Sequence, residues 1–137
     1  MLIGRSMARR QEEEKSIAEE KAEKEEGRLK TMMKHVSVFK LKEEYRKEEL
    51  IEEIAAHLKK IPEDVPEIIS SEIGVKPFPM PTASPDGHVE FYDLIQIIGF
   101  EDEKGSMAYP ASKGHQDFLA WSSEYFEKVI GIDYPVG

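Results

Sequence analysis

The segment from residue 89 to residue 100 constrains the fold most, because both of its faces are apolar. Its residues are mostly β-branched and aromatic, which predicts a β-strand. One face carries Val89, Phe91, Asp93, Ile95 and Ile97, and the other carries Tyr92, Leu94, Ile98 and Phe100. A strand that is apolar on both faces is covered on both faces. A single layer of helices covers only one of them, so we expect a second copy of the chain to cover the other in a homodimer.

Alternation with a period of two predicts two strands ahead of this segment. The first spans residues 33–42. Its inward face carries Met33, His35, Ser37, Phe39 and Leu41, so that one imidazole faces the core. The second strand spans residues 68–75, and one of its faces carries Ile69, Ser71, Ile73 and Val75. Residues 76–88 are rich in proline and form a loop that is long for a hairpin connection.

Helical periodicity appears between and after these strands. Residues 43–61 carry one apolar stripe and predict an amphipathic helix, which Pro62 and Pro66 end. Asp102 is placed to cap a short helix that ends at Tyr109, and Ser112 is placed to cap a longer one. The longer helix is predicted over residues 112–129 and a last strand over residues 129–134. The resulting order, strand–helix–strand–strand–helix–strand, predicts an α+β fold of the ferredoxin-like βαββαβ type.

Charge divides the chain into two parts. The first 31 residues hold eight acidic and eight basic side chains, so the remainder carries the whole net charge of −9. We therefore predict a charged N-terminal extension over residues 1–31, helical or disordered, and one domain over residues 32–137. An acidic domain argues against nucleic-acid binding. The sequence has no cysteine, no apolar run long enough for a membrane span and no signal peptide, so we expect a cytoplasmic protein.

Tyr109 and His115 are the candidate catalytic pair. Pro110 and Gly114 interrupt the backbone between them, so the phenol closes one element and the imidazole opens the next. Such a turn can direct both polar tips into one pocket. The imidazole would then remove a proton next to a carbonyl while the phenol hydrogen-bonds the developing enolate, which requires no metal or cofactor. The alternative is that the two side chains bond each other and pack the edge of the core.

Three local patterns resemble those of the stress-responsive dimeric α+β barrel (Dabb) family. They are Met-Lys-His-Val-Ser-Val-Phe-Lys-Leu-Lys at residues 33–42, Phe-Glu-Asp-Glu at 100–103 leading to Ala-Tyr at 108–109, and Ile-Asp-Tyr at 132–134. The resemblance implies a ferredoxin-like fold in which two sheets pair into one barrel. That pairing would cover the second face of residues 89–100.

The resemblance also implies a role for particular residues. Tyr109 and His115 match, in spacing, the catalytic tyrosine and histidine of a plant polyketide cyclase of the family. His35 matches the family's histidine on the first strand, and Phe126 falls where an aromatic residue lines the pocket. Together with His57, which borders the apolar helix stripe, His35 and Phe126 are the candidate ligand-binding residues. The family's His-Pro-x-His signature reads Ser-Lys-Gly-His at residues 112–115 here, and the 76–88 loop is longer.

Two classes of function remain open at this point. The first is a cofactor-independent enzyme of the cyclase or lyase type that binds a small organic ligand between sheet and helices. The second is a non-catalytic dimeric module that binds a small ligand or acts in stress tolerance. A large apolar pocket at Tyr109 and His115 would favour the enzyme, and a core filled by side chains would favour the module. Four scattered histidines give no convincing zinc site.

Overall fold

Four strands and three α-helices make up the part of the domain that the structure describes. The computed structural model describes residues 12–14, 16–21, 31–80 and 85–136. In chain order the elements are β1 (Met33–Leu41), α1 (Glu48–Asp64), β2 (Ile68–Val75), β3 (Leu94–Phe100), α2 (Glu103–Ala108), α3 (Lys113–Ser122) and β4 (Phe126–Pro135). Short 3-10 turns lie at Glu43–Tyr45, Tyr109–Ala111 and Ser123–Tyr125. This order confirms the predicted ferredoxin-like βαββαβ arrangement, with the second helical segment divided into α2 and α3.

The strands form one antiparallel sheet in the order β2-β3-β1-β4. β1 is therefore central, and it is hydrogen-bonded to β3 on one side and to the edge strand β4 on the other. His35 lies opposite Ile98 of β3 and Asp133 of β4. Two residues further along β1, a serine lies between Gln96 and Gly131 of the same two neighbours. This register brings polar side chains from three strands to the same place.

The helices pack against one face of the sheet. The sheet contributes Phe39, Leu41, Leu94, Ile98 and Phe100 to the buried core, and α1 contributes Ile51, Ile54, Ala55, Leu58 and Ile61. The inward face predicted for residues 33–42 is thus confirmed at Phe39 and Leu41, which are buried in the core. Burial of each such aliphatic or aromatic side chain contributes about 1.5–3 kcal/mol relative to leaving it in water.

The other face of the sheet is apolar as well. Its central positions are Val36 and Val38 on β1, Ile95 and Ile97 on β3, and Ile130 and Ile132 on β4. None of these side chains belongs to the buried core that the described residues form, and Ile132 is 59% exposed. Over residues 94–100 the predicted two-faced pattern is therefore confirmed: one face meets the helices, and the other retains contact with solvent in the single chain.

Two predicted helix boundaries are wrong. α1 begins at residue 48, after a 3-10 turn, and runs through Pro62 to Asp64. Pro62 lies in the last turn of α1. It lacks the N–H that would bond to a carbonyl one turn earlier, so the helix loses one hydrogen bond close to its end. The end comes at Val65, whose backbone is outside the helical region, as is favoured for a residue before proline. The helix predicted over residues 112–129 ends at residue 122, and β4 begins at Phe126.

Two predicted strands also differ from the structure. In β2 the register shifts between Ile68 and Ser70, so Ile69 is exposed on a bulge, while Ile73 packs against the core. Val75, at the end of the strand, is exposed as well. The strand predicted over residues 89–100 begins only at Leu94, and residues 89–93 are irregular.

The N-terminal extension predicted over residues 1–31 lies largely outside the described residues. Residues 12–14 and 16–21 are helical and exposed. The domain boundary at residue 32 stays a prediction. In the described part of the chain, no helix is both long enough and apolar enough to span a bilayer.

Asp93 explains where β3 begins. Its carboxylate accepts a hydrogen bond from the backbone N–H of Leu41 at 2.7 Å and forms an ion pair with Arg46 Nε at 3.3 Å. The Leu41 N–H is therefore bound by a side chain instead of a carbonyl of the neighbouring strand. Arg46 in turn donates to the Leu41 carbonyl at 2.9 Å. Asp93 is buried, so this junction fixes the end of β1 against the start of β3.

We expect Asp93→Ala to lower the free energy of unfolding by about 2 kcal/mol, because it leaves a buried backbone N–H without its acceptor. Urea unfolding of the variant and of the parent measures the change. Glu52→Ala, at an exposed position of α1, is the matched control and should unfold at the same urea concentration as the parent. Equal midpoints for Asp93→Ala and Glu52→Ala would show that the junction does not stabilise the domain.

Candidate functional site

A group of polar side chains interrupts the otherwise apolar, helix-covered face of the sheet. It consists of His35 and Ser37 on β1, Gln96 on β3, Asp133 on β4, and Tyr109 and His115 at the α2–α3 connection. Alternation along β1 places the first two on the same face. The polar group lies at the end of the sheet opposite to the junction formed by Asp93.

Tyr109 is held at the turn between α2 and α3. The Asp102 carboxylate caps α2 by accepting from the Gly105 N–H at 2.8 Å, as predicted, and the helix ends at Ala108. The following 3-10 turn brings the phenol over the sheet. Tyr109 is only 3% exposed, and its ring centroid lies 5.7 Å from that of His35 and 4.7 Å from that of His115. The structure therefore brings these three predicted site residues together.

Burial controls the ionisation of this phenol. It raises the pKa of Tyr109 to about 12, while the neighbouring amide of Gln96, which approaches the phenol without forming a hydrogen bond of accepted geometry, acts in the opposite direction. The hydroxyl is consequently protonated throughout the physiological range of pH. Tyr109 can donate a hydrogen bond to an oxygen that gains negative charge, but it cannot act as the base.

His115 is oriented by two local contacts. Its backbone N–H donates to Ser112 Oγ at 3.3 Å, which confirms Ser112 as the helix cap. Its ring Nδ1–H donates to the carbonyl of Pro110 at 2.9 Å. In a neutral imidazole this bond places the proton on Nδ1 and leaves Nε2 as an acceptor. His115 thus has the tautomer that a general base requires.

His35 takes part in a chain of short hydrogen bonds. Its Nδ1–H donates to Asp133 Oδ1 at 2.5 Å, and the Ser37 hydroxyl donates to its Nε2 at 2.7 Å. The Asp133 side chain is exposed, whereas Ser37 is buried. The chain of bonds therefore leads from solvent at the sheet edge to the interior.

Gln96 completes the polar group from the β3 side. It is 2% exposed, and its Nε2 has no hydrogen-bond partner among the described residues. Ser37, Gln96 and Asp133 were not identified as site residues from the sequence. The available signal was a polar residue at an inward position of an apolar strand, which applies to Ser37 and Gln96. Asp133 is recognised only through the register that places it opposite His35.

The other two candidate ligand-binding residues lie elsewhere. His57 stacks on Trp121 with ring centroids 3.8 Å apart, and both line a groove of about 280 Å³ between α1 and α3. Phe126 packs against Phe39 and Phe118, opposite Leu41 on β1. Leu41 is six residues from His35, which is about 20 Å along a strand. The structure therefore does not bring His57 and Phe126 to Tyr109.

The polar group is closely packed. Five cavities of about 230–430 Å³ lie on the described part of the chain, and Tyr109, His35 and His115 line none of these five. Within the same residues, no group of three or more His, Asp or Glu side chains is arranged to hold a metal ion. Tyr109 is thus enclosed by neighbouring side chains.

Comparison with solved structures places this fold among known proteins. It matches a dimeric ferredoxin-like protein from Bacteroides fragilis, with 20% identity over 77% of this chain and 96% of that chain and a TM-score of 0.60. It matches a Dabb family protein from Mesorhizobium loti with 24% identity, 78% and 99% coverage and a TM-score of 0.58. It also matches the hydroxynitrile lyase of Passiflora edulis with 15% identity, 79% and 95% coverage and a TM-score of 0.62. At these identities the likeness concerns the fold alone.

A search of curated protein sequences gave no significant match. The family model described as the Stress responsive A/B Barrel Domain matches residues 33–136, which include every strand and helix of the sheet domain. The chain therefore belongs to the stress-responsive A/B barrel (Dabb) family.

Proposed function

We propose that this Dabb protein binds a small carbonyl-containing organic molecule beside Tyr109 and transfers a proton to or from it without a cofactor. The observation that supports this proposal is the contact of one buried, neutral phenol with the imidazoles of His35 and His115. A hydrogen-bond donor and a base side by side are the groups that enolate chemistry requires. The same groups serve the closure of a polyketide ring and the cleavage of a hydroxynitrile.

The two rings beside the phenol have different tasks in this proposal. His115 accepts the proton through Nε2, because its Nδ1 is bound to the Pro110 carbonyl. Tyr109 donates to the oxygen on which negative charge develops, since its raised pKa keeps the proton on the phenol. His35 is oriented by Asp133 and limits the space beside the ring. The ligand reaches the phenol by movement of the side chains and of the connection between α2 and α3 around it, a connection that consists of the 3-10 turn Tyr109–Ala111 and Ser112.

A second candidate function is that of a non-catalytic dimeric module. The observation in its favour is that Tyr109 is packed among aromatic rings, including Phe100 at 5.5 Å, and lines none of the five cavities described above. In that case the cluster of rings stabilises the connection between α2 and α3. The two candidates differ in what happens when the phenol hydroxyl is removed.

Turnover of a hydroxynitrile, such as mandelonitrile, and of a linear poly-β-keto ester tests the proposal. We expect Tyr109→Phe and His115→Ala each to lower kcat/KM by about 100-fold or more, because each removes one partner of acid–base catalysis. Tyr125→Phe and His88→Ala are the matched controls, since they remove a phenol and an imidazole elsewhere. Ligand-dependent thermal stabilisation should disappear in the first pair only. Lower melting temperatures without turnover in the parent would support the module instead.

The raised pKa of Tyr109 predicts how stability changes with pH. The phenol ionises near pH 10 in the unfolded chain and at about 12 in the folded one. Its contribution to stability is therefore complete below pH 10 and is lost as the pH rises from 10 to 12. The difference in tyrosinate absorbance between the parent and Tyr109→Phe should titrate near 12. A difference that titrates at 10 would mean that the phenol is open to solvent.

We further propose that two copies of the chain pair through the open face of the sheet to form an α+β barrel. The proposal is supported by the apolar side chains of this face, which no described helix covers, and by the Bacteroides relative, which is described as dimeric. Pairing would remove Val36, Ile97 and Ile132 from water in both copies at once.

Placing a charge on this face should separate the two copies. We expect Ile132→Lys to give a monomer at low micromolar concentration in light scattering, because the ammonium group would be buried without a partner. Val129→Lys is the matched control, since Val129 lies on the opposite face of the same strand and is 47% exposed. It should remain dimeric. A monomeric parent, or two variants that behave alike, would contradict the proposed interface.

A further inference from the structure

We propose that Ser37, His35 and Asp133 form a nucleophilic centre that takes an acyl group from small esters. This reaction is of a different class from the proton transfer proposed above, although His35 takes part in both sites. The three residues come from two neighbouring strands, and the register of β1 with β4 sets their spacing.

The atoms of the three side chains are connected in the order that serine activation requires. The Asp133 carboxylate accepts from His35 Nδ1–H at 2.5 Å, and His35 Nε2 accepts from the Ser37 hydroxyl at 2.7 Å. A carboxylate on Nδ1 fixes the tautomer in which Nε2 is free to take the serine proton. Both ring nitrogens of His35 are therefore bonded, with the carboxylate and the hydroxyl on opposite sides of the ring.

Gln96 supplies the donor that would stabilise the reaction intermediate. It lies directly opposite Ser37 on β3, where Cβ atoms of paired residues are about 5 Å apart. Its Nε2 is buried and forms no hydrogen bond among the described residues, although the amide lies near the phenol of Tyr109. A buried amide donor is costly to leave unpaired. An oxygen of a bound acyl group, held beside Ser37, would satisfy this donor in the manner of an oxyanion hole.

Access to the serine is from the β4 side of the sheet. All ten residues of this edge strand are exposed or half-buried. Gly131 lies opposite Ser37, and a Cβ at this position would come 3.7 Å from Ser37 Oγ and 3.2 Å from His35 Cε1. The absence of a side chain at Gly131 therefore leaves room for the imidazole of His35 and keeps the space beside Ser37 open. Because Ser37 itself is 5% exposed, the acyl donor must be small, of the size of an acetyl ester.

The reaction proceeds in two steps, acylation of Ser37 and hydrolysis of the acyl-serine. Ser37 Oγ attacks the ester carbonyl while His35 Nε2 takes the hydroxyl proton, so that a bond from Oγ to carbon forms. The bond from that carbon to the alcohol oxygen then breaks, and the imidazolium returns the proton to the departing alcohol. Water, activated by the same Nε2, hydrolyses the acyl-serine to the free acid and restores the hydroxyl. Asp133 is a positioning residue, since it acts through His35.

The test uses p-nitrophenyl acetate and the full chain. We expect a burst of nitrophenolate, with an acetyl group on Ser37 identified by mass spectrometry of peptides. Ser37→Ala should abolish the burst, whereas Ser71→Ala, at an exposed position of β2, should retain it. Ser37→Cys keeps a nucleophile of similar size and should be acylated. Circular dichroism of each variant establishes that it is folded.

Two further variants separate activation from mere structure. Gln96→Leu removes the amide donor at similar volume and should slow acylation about 100-fold. Asp133→Asn should slow it strongly and change its pH profile, because the carboxylate no longer fixes the tautomer of His35. A purely structural role would change melting temperature without changing the pH profile.

Acetylation confined to lysine or tyrosine side chains, or equal bursts from parent and Ser37→Ala, would overturn the inference. This failure is distinguishable from failure of the proposed proton transfer. Loss of carbonyl turnover in His115→Ala would still support the latter even if Ser37 carried no acetyl group.

Discussion

The double ladder of hydrogen bonds that holds β1 between β3 and β4 is the constraint on which the rest of the structure depends. It fixes which residues lie opposite His35, and hence which carboxylate its imidazole meets. It also divides the side chains of β1 between the helices and the open face of the sheet. Core, candidate site and proposed interface are therefore all set by the register of one strand.

Polar side chains in the interior are costly unless they are paired, and this domain pairs nearly all of them near β1. Asp93 binds a backbone N–H and an arginine at one end of the strand. At the other end His35 binds Ser37 and Asp133. The first group serves folding, because both carboxylate oxygens of Asp93 meet partners from the chain itself. The second leaves a buried Gln96 donor unpaired, and this difference points to the second group as the reactive one.

Much of the architecture could be predicted from the sequence, because it depends on periodicity. Alternation over residues 33–42 and a helical stripe after it are local properties, and both appear in the structure. The ends of the strands and helices were harder to predict from the sequence. The late start of β3 depends on the carboxylate of Asp93 binding Leu41, 52 positions away in the chain, and no local pattern contains that contact.

The candidate site was predictable in the same limited way. Tyr109 and His115 are six residues apart, so a turn between two helices brings them together, as the sequence indicated. His57 and Phe126 were placed by helix stripe and by resemblance, and the structure puts each in a different cluster of rings. Asp133 became visible only through pairing of the first and last strands, a contact between the two ends of the domain.

The alternation along β1 has a consequence for how this gene can change length. Val36 faces the opposite side of the sheet from His35 and Ser37, its neighbours in sequence. Insertion or deletion of a single codon within this strand would reverse which side chains face the helices. The imidazole and the hydroxyl would move to the open apolar face of the sheet, and the valines would move into the polar group. Length variation among relatives should therefore spare this strand and accumulate between β2 and β3, where the described residues 76–80 and 85–93 belong to no strand.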